Sequence, residues 1–234
     1  MSDLSAGAAP AKAELFIVAT PIGNLEDITH RAVRILSEVD LIAAEDTRQT
    51  KKLLDRYNIS TPMTSYHKFN INSKTSYIVN LIKEGKKLAL VSDSGMPGIS
   101  DPGYELIREA VNQNIRVIPI PGPSAVITAL AASGLPTDKF IFLGFLQKKA
   151  GKRRKSLKEL VGFDGTIVLY ESPFRVVKCL QDIFSVLGDR EAVVARELTK
   201  IYEELIRGKI SDILIKLGQK NIKGEVVILV KGRE

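Results

Sequence analysis

Short apolar runs alternate with longer amphipathic segments through the first half of the chain. A short apolar run between turn residues predicts a buried strand, and apolar residues that recur every three or four positions predict a helix. Strands are predicted at 15–19, 41–44, 63–66, 88–91 and 116–120. Helices are predicted at 32–39, 47–57, 73–83, 104–111 and 124–132. This alternation of strand and helix is typical of a mostly parallel α/β sheet.

The pattern changes after residues 134–136, where predicted strands begin to follow one another without a helix between them. Strands are predicted at 140–145, 166–170, 192–195, 203–206 and 226–230, and helices at 156–161, 176–187 and 211–217. The second sheet should therefore be mixed. The fold prediction is two α/β domains, and its parts are a disordered tail at 1–13, an N-terminal domain with a mostly parallel five-stranded sheet at 14–136, and a C-terminal domain with a mixed sheet at 137–234.

Charge is concentrated in one segment of the second half. The chain has 34 lysines and arginines against 27 aspartates and glutamates, a net charge of +7. Seven basic residues and no acidic one lie between positions 148 and 158, and they equal that whole excess: Lys148, Lys149, Lys152, Arg153, Arg154, Lys155 and Lys158. Such a stripe can neutralise phosphates and release counterions, as in nucleic-acid binding. A solvated surface run explains the stripe equally well when it is considered alone.

Cysteine and histidine content excludes two kinds of site. Cys179 is the only cysteine, so no intrachain disulfide is possible, and a reducing cytosol is the expected compartment. With only two histidines, His30 and His67, the chain has no metal-ligand cluster, and no metal is expected. No apolar run approaches the length of a membrane span, and residues 1–13 lack the apolar core of a secretion signal. We therefore expect a cytoplasmic protein.

The loop at 93–103 has the composition of a ligand-binding loop. It follows a predicted buried strand and holds three glycines and two prolines. Glycine lets the backbone approach a ligand closely and proline fixes the path, so this composition favours a ligand loop over a plain turn. The loop at 20–29 lacks the G-x-G-x-x-G spacing of dinucleotide folds, and no P-loop motif occurs in the chain.

Acidic residues cluster at a second strand end. Glu45 and Asp46 lie between a predicted strand and a predicted helix, with Arg48 close behind. A helix start favours acidic residues in any case, so either carboxylate alone would be uninformative. Their combination with Arg48, at the sheet edge expected to carry the 93–103 loop, favours a functional site. The turns at 121–125 and 171–175 also begin helices, and for them a structural cap and a ligand site both remain open.

Five motifs, in chain order, together resemble one family. They are VATPIGNLEDIT, AEDTRQTKKLL, LVSDSGMPGISDPG, IPGPSA and YESPFR. The chain resembles the ribosomal RNA branch of the tetrapyrrole methylase family, the class III S-adenosylmethionine-dependent methyltransferases, from about Glu14 to Arg233. The tetrapyrrole enzymes and diphthine synthase carry a G-D-P-type loop where this chain has Gly95-Met96-Pro97. This departure speaks against a porphyrin substrate.

The resemblance implies a fold, a cofactor and a substrate. It implies two α/β domains with S-adenosylmethionine in the cleft between them, and a homodimer. The implied substrate is the 2′-hydroxyl of a cytidine in 16S rRNA, within the small ribosomal subunit. The cofactor contacts that it implies are Pro21, Ile22, Ser94, Gly95, Met96, Ile99, Ser124, Ala125, Tyr170, Glu171 and Ser172. Arg48, Arg175 and the basic stripe at 148–155 are candidate RNA contacts.

Methylation of a ribose hydroxyl requires alignment and a proton acceptor. Asp46, Glu45 and Asp93 are the candidate bases, and Asp46 is preferred because it should face the same crevice as the 93–103 loop. Two alternatives stay open. One is an S-adenosylmethionine enzyme with a small-molecule substrate, which would need no basic stripe. The other is a non-catalytic RNA-binding assembly factor, which would need no glycine- and proline-rich loop and should carry an RNA-binding signature.

Overall fold

The computed structural model describes residues 13–218 and 222–233. They divide into two compact units. The first unit consists of the described residues up to Pro21 and of Leu25–Pro123. The second unit consists of Ile22–Asn24 and the described residues from Ser124 onward. The first unit holds a five-stranded sheet in the order β3-β2-β4-β1-β5, with every pairing parallel. Its strands are β1 (Glu14–Val18), β2 (Leu41–Ala44), β3 (Met63–Ser65), β4 (Lys87–Val91) and β5 (Arg116–Ile120).

Helices cover both faces of this first sheet, because successive strand residues point to opposite faces. The helices are α1 (His30–Glu38), α2 (Thr47–Arg56), α3 (Ile71–Lys83) and α4 (Tyr104–Asn112). Phe16 and Val18 pack in one apolar cluster with α1 and α2, whereas Leu15 and Ile17 pack in another with α3 and α4. The predicted parallel sheet is therefore confirmed. The loops that follow β1, β2 and β4 leave it at one edge, as parallel strands require.

The second unit holds a mixed sheet in the order β6-β7-β10-β8-β9, in which only β6 and β7 pair in parallel. Its strands are β6 (Phe140–Phe145), β7 (Thr166–Glu171), β8 (Glu191–Arg196), β9 (Glu204–Lys209) and β10 (Val226–Val230). Its helices are α5 (Ala125–Ser133), α6 (Ala150–Lys158), α7 (Val176–Leu187) and α8 (Ile210–Gly218). The all-apolar β10 is buried along its whole length because it is central, with α5 over one face and α6 to α8 over the other. The predicted mixed sheet is confirmed.

Two boundaries differ from the sequence prediction. The units divide at Pro123, earlier than the expected boundary at 136, because Val126, Ala129 and Leu130 of α5 pack on the second sheet. Helix α6 begins at Ala150, six residues before the predicted start at 156, so it includes much of the basic stripe. The predicted tail lies outside the described residues except for Ala13, whose carbonyl accepts a hydrogen bond from the Arg116 amide over 3.1 Å.

Candidate functional site

A backbone bridge joins the loops that follow β1 and β4. The Thr20 amide donates to the Gly95 carbonyl over 2.9 Å, and the Gly95 amide donates to the Thr20 carbonyl over 3.0 Å. The Thr20 hydroxyl donates to the Ser92 carbonyl over 3.0 Å and is itself buried. This bridge brings the loop that contains Pro21 to the loop at 94–96, so these predicted cofactor residues of the first unit lie together.

The loop at 93–103 adopts backbone conformations that favour glycine. Gly95 and Gly98 have φ values of 77° and 82°, in the left-handed region. A Cβ atom at Gly103 would lie 2.9 Å from the Gly98 amide nitrogen, so the two backbone segments approach too closely for a side chain. Met96 packs partly against the sheet, and Ile99 is 51% exposed. Sequence composition therefore indicated a tight loop, and its predicted contacts with a cofactor stay a prediction.

Three carboxylates meet where β2 and β4 end. The Asp46 amide donates to Oδ1 of Asp93 over 3.0 Å, and the Asp93 amide donates to Oε2 of Glu45 over 3.3 Å. Partial desolvation raises the pKa of Glu45, which is partly buried, and of Asp93, although Asp93 is exposed, and the repulsion between neighbouring carboxylates acts in the same direction. The structure thus brings together the three candidate bases.

Asp46 is the weakest base of the three. It is the N-cap of α2, and its Oδ1 accepts the Arg48 amide over 2.9 Å. The Arg48 guanidinium also donates hydrogen bonds to both carboxylate oxygens, from Nε to Oδ1 over 3.0 Å and from Nη2 to Oδ2 over 2.6 Å. These bonds hold the pKa of Asp46 at about 2. A carboxylate so stabilised takes a proton poorly, which argues against Asp46 as the base, and its predicted catalytic role stays a prediction.

Two pockets of the first unit flank these acids. The Asp93 pocket has a volume of about 290 Å³, and its lining is Thr20, Pro21, Leu25, Gln49, Thr50, Lys52, Leu53, Ser92 and Asp93. The aromatic pocket has a volume of about 590 Å³, and its lining is Glu45, His67, Lys68, Phe69, Ile71, Ser100, Asp101, Pro102, Tyr104 and Glu105. Asp93 and Glu45 thus line different pockets, although the Asp93 amide donates a hydrogen bond to the Glu45 carboxylate.

The sequence prediction missed the aromatic residues of the second pocket. Phe69 is 84% exposed and Tyr104 is 60% exposed, which is unusual for rings of this size. Both residues lie in loops or at a helix start beyond the carboxyl ends of strands, where ligands bind in parallel sheets. The available signal was Lys68-Phe69, a basic and aromatic pair directly after a predicted strand.

Some of the predicted cofactor residues lie together in the second unit. Ile22 is buried in the apolar cluster against which Ala125 and Tyr170 also pack. Ser124 is the N-cap of α5, and its side chain makes no capping hydrogen bond within the described part of the chain. Amide groups at the start of α5 therefore depend on another partner, such as solvent or a ligand.

The buried Glu171 and the partly exposed Arg175 form an ion pair at the end of β7. Nη2 of Arg175 lies 2.6 Å from Oε1 of Glu171, which also accepts the Ser172 amide over 2.7 Å. Oε2 of Glu171 and Nη1 of Arg175 are buried without a hydrogen-bond partner among the described residues. Arg175 was predicted to contact RNA, but this pairing engages its guanidinium within the unit. Buried polar atoms usually find a partner, so the two unpaired atoms are compatible with a ligand at this strand end.

The basic stripe divides into a buried arginine and an exposed lysine face. Arg153 is 4% exposed, and its guanidinium donates to Asp182 of α7, with Nε at 2.7 Å from Oδ2, and to the backbone carbonyls of Gln147 and Lys148. The expectation that Arg153 contacts RNA is therefore corrected, because burial removes it from the surface. Nη1 of Arg154 reaches the same carboxylate over 3.2 Å but is half exposed. Within the stripe, five exposed lysines have no ion pair to any residue of 13–218 and 222–233: Lys148, Lys149, Lys152, Lys155 and Lys158.

Within the same described ranges, no three histidine, cysteine, aspartate or glutamate side chains are grouped so that they could hold a metal ion. No helix there has the length and apolar character needed to cross a membrane. Cys179 is a free, buried thiol, and burial raises its pKa to about 12.

Comparison with known proteins finds relatives whose sequences are 50% identical to this chain over 94% of its length. A protein of Halalkalibacterium halodurans named ribosomal RNA small subunit methyltransferase I is 50% identical over 221 residues, which are 94% of this chain and 76% of that protein. A protein of Thermotoga maritima with the same name is 50% identical over 222 residues, 94% of this chain and 99% of that protein.

Solved structures and a family profile agree with these relatives. A cobalt precorrin-4 methyltransferase has a TM-score of 0.73 at 18% identity and covers 97% of this chain and 98% of its own. A uroporphyrin-III C-methyltransferase from Thermus thermophilus has a TM-score of 0.66 at 16% identity, with 94% of each chain covered. These two likenesses concern the fold alone. The profile of the Tetrapyrrole (Corrin/Porphyrin) Methylases matches residues 14–214, and this chain therefore belongs to the tetrapyrrole methylase family.

Proposed function

We propose that this chain is an S-adenosylmethionine-dependent methyltransferase that methylates the ribose 2′-hydroxyl of a cytidine in 16S rRNA. The observation that carries the proposal is the identity of about half of all residues to relatives named ribosomal RNA small subunit methyltransferase I. The motif LVSDSGMPGISDPG, which resembles the ribosomal RNA branch of the family, supports the same substrate class.

Each unit, taken by itself, holds residues that suit S-adenosylmethionine. The Asp93 pocket is bordered by Pro21 and Thr20, and the Thr20–Gly95 bridge fixes the glycine-containing loop to this pocket wall. In the second unit, a carboxylate oxygen of Glu171 and a guanidinium nitrogen of Arg175 lack a partner among the described residues at the end of β7. When bound, the cofactor supplies a methyl group on a positively charged sulfur that leaves as a neutral thioether. The residues that would hold it are the predicted set named above.

Asp93 is the residue that we assign as proton acceptor for the ribose hydroxyl. The hydroxyl must lose its proton as its oxygen gains the methyl group, and a carboxylate with a raised pKa accepts a proton more readily than one near 2. Asp93 is exposed at the pocket, where partial desolvation still raises its pKa, whereas Arg48 holds the pKa of Asp46 at about 2. Asp93 also lines the pocket that contains Pro21, whereas Glu45 lines the aromatic pocket.

The lysine face of α6 and the residues just before it suit an RNA partner. Exposed lysines without an acidic partner attract phosphates and release counterions when they bind them. The small-molecule alternative gives no reason for these unpaired lysines, since a small substrate would need no basic stripe. We also propose that the enzyme works in the cytoplasm as a homodimer, a location with which the reduced, buried Cys179 agrees.

The proposal is tested on ribosomal RNA from a strain that lacks this protein. Purified enzyme, isotopically labelled S-adenosylmethionine and small ribosomal subunits from that strain should give one labelled nucleoside after digestion. Mass spectrometry should place the label on the ribose of cytidine. Label on a base, or none on RNA while the enzyme still binds S-adenosylmethionine in a calorimeter, would contradict the assignment.

A further inference from the structure

The aromatic pocket of the first unit has no role in the function proposed above. Its volume of about 590 Å³ is typical of sites for small molecules or for single groups of a larger ligand. Its two exposed rings each lie beside a cation. Nζ of Lys68 is 4.9 Å from the centroid of the Phe69 ring, and the guanidinium of Arg108 is 5.4 Å from that of Tyr104. Exposed rings next to basic groups are the usual platform on which proteins stack unpaired nucleobases.

Carboxyl groups line the same pocket and restrict what it can hold. Glu45, Asp101 and Glu105 would repel a phosphate or an acidic small molecule inside it. A carboxylate does accept a hydrogen bond from an exocyclic amino group, such as N4 of cytosine. Oε2 of Glu45 accepts the Asp93 amide, so this side chain is fixed in position. Nδ1 of His67, on the same wall, is buried without a partner among the described residues and offers one further polar atom.

We propose that the aromatic pocket holds an unpaired cytosine of the RNA substrate, which stacks on Phe69 and Tyr104 and donates its 4-amino group to Glu45. This inference rests on the proposed function, since it names the part of the enzyme that recognises the nucleotide. A pocket with aromatic walls can compensate an extruded nucleobase for its lost stacking, as in enzymes that take a single nucleotide out of a structured strand. Lys68, exposed at the rim, is placed to meet a backbone phosphate.

Glu45 gives the pocket a means to tell cytosine from uracil. Cytosine carries an amino donor at position 4, whereas uracil carries an oxygen acceptor there. An ionised carboxylate only accepts hydrogen bonds, so it attracts the first and repels the second. A glutamine at this position would both donate and accept, and it would pair with either base. Glu45 is therefore assigned as a specificity residue.

The first experiment compares alanine variants of three exposed aromatic residues. Phe69→Ala and Tyr104→Ala should each lower kcat/KM for methylation of small ribosomal subunits by about five- to 150-fold, the scale of one lost base stack. Tyr77→Ala is the matched control, because Tyr77 is 48% exposed on α3 of the same unit, lies beside Lys74 and does not line the pocket. Affinity for S-adenosylmethionine, measured by calorimetry, should be unchanged in all three. Losses no larger than that of Tyr77→Ala would overturn the proposal.

The second experiment detects stacking without catalysis. The chain has no tryptophan, so Phe69→Trp introduces a single fluorescent indole at the pocket. A short single-stranded oligoribonucleotide that contains cytidine should quench its fluorescence, and the same strand with an abasic site should not. Tyr77→Trp supplies the control. Equal quenching at both positions refutes the pocket even if the enzyme methylates rRNA. Absent methylation together with selective quenching refutes only the proposed function.

The third experiment tests the choice of base. Glu45→Gln should lower kcat/KM for cytidine without abolishing it, and it should raise the ratio of uridine to cytidine methylation on subunits with either base at the modified position. Loss of cytidine methylation with normal cofactor affinity would make Glu45 the proton acceptor and would overturn its role as a reader of the base. An unchanged preference for cytidine would overturn that role as well.

Discussion

The backbone amide of Asp46 donates a hydrogen bond to Oδ1 of Asp93 over 3.0 Å, which joins the carboxyl ends of β2 and β4. The Asp93 amide returns a bond to Glu45. The three acids are therefore fixed relative to one another by main-chain atoms, although their side chains lie in different surroundings. Arg48 forms an ion pair with Asp46, whereas partial desolvation raises the pKa of the exposed Asp93 and of the partly buried Glu45. Substitutions that keep shape and remove charge can separate their roles.

Asp93→Asn should lower the single-turnover methylation rate by about a hundredfold or more, the usual scale for loss of a general base. Asparagine can still accept the Asp46 amide through its own Oδ1, so the strand ends should stay joined. Affinities for S-adenosylmethionine and for small ribosomal subunits should change little. Rapid-quench kinetics with enzyme in excess measures the rate, and calorimetry measures cofactor binding.

Asp46→Asn is the matched control for this experiment. It removes a charge one strand away, keeps an N-cap residue at α2 and frees Arg48. Its rate should fall much less than that of Asp93→Asn. The reverse order, with Asp46→Asn the slower enzyme at unchanged affinity, would restore Asp46 as the base.

Gly95→Ala should weaken S-adenosylmethionine binding by about tenfold or more, or about 1.4 kcal/mol. Gly95 has a φ of 77°, so alanine costs about 1–2 kcal/mol of folding free energy and also adds a methyl group beside the predicted ligand. Gly85→Ala carries the same backbone cost at a φ of 91°, with no atom within 4 Å of the new methyl group. If calorimetry gives both variants the same cofactor affinity, Gly95 contacts no cofactor.

The fold followed from the sequence because burial imposes a clear pattern on each sheet. The run VVILV is apolar at every position because β10 is central in its sheet and covered on both faces. The boundary near 136 was misplaced because α5 is rich in alanine and has no strongly polar side, so its sequence does not tell which sheet it covers. Only packing against β8 and β10 reveals this.

The site was predicted less completely, because the sequence does not show which side chains contact one another in the folded chain. The sequence analysis predicted RNA contact for Arg153 as for its basic neighbours, because nothing in a run of lysines and arginines shows which one pairs with Asp182. Asp46 was preferred as base because the sequence does not show its ion pair with Arg48, which depends on side-chain geometry. Phe69 and Tyr104 were missed because an aromatic residue in sequence is ordinarily a core residue, and only their exposure distinguishes them.

Replacing Lys149, Lys152 and Lys155 together by glutamine should weaken RNA binding without changing cofactor affinity. Each lost phosphate contact should lower the slope of log affinity against log salt by about 0.7–0.9. A filter-binding series between low and moderate salt measures the slope. Replacing Lys51, Lys83 and Lys86 of the first unit by glutamine is the control, since it removes the same charge elsewhere. Identical slopes for the two triple variants would make the lysine face of the second unit a merely solvated surface.

The ion pair between Asp46 and Arg48 should make the free energy of unfolding depend on pH in the acid range. The pKa of Asp46 is about 2 in the folded chain against 3.8 ordinarily, so the unfolded chain binds this proton first. The stabilisation is complete above the unfolded pKa and is lost as pH falls from about 4 toward 2. The difference in unfolding free energy between the unchanged protein and Asp46→Asn should therefore shrink over that range. A difference that is constant with pH would show that Asp46 has an ordinary pKa.

Arg153→Met should destabilise the second unit by about 3–5 kcal/mol, the range for removing one partner of a buried ion pair. Methionine keeps much of the apolar volume, but it leaves Asp182, whose side chain is 10% exposed, without its main partner. Arg154→Met is the matched control, because Arg154 meets the same carboxylate from a half-exposed position and should cost at most about 1 kcal/mol. Urea unfolding followed by circular dichroism measures both. In the double variant Arg153→Met with Asp182→Leu, the unpaired charge is gone, and much of the lost stability should return. A double variant as unstable as Arg153→Met alone would mean that the arginine acts through its carbonyl contacts at 147 and 148 and that the ion pair contributes little.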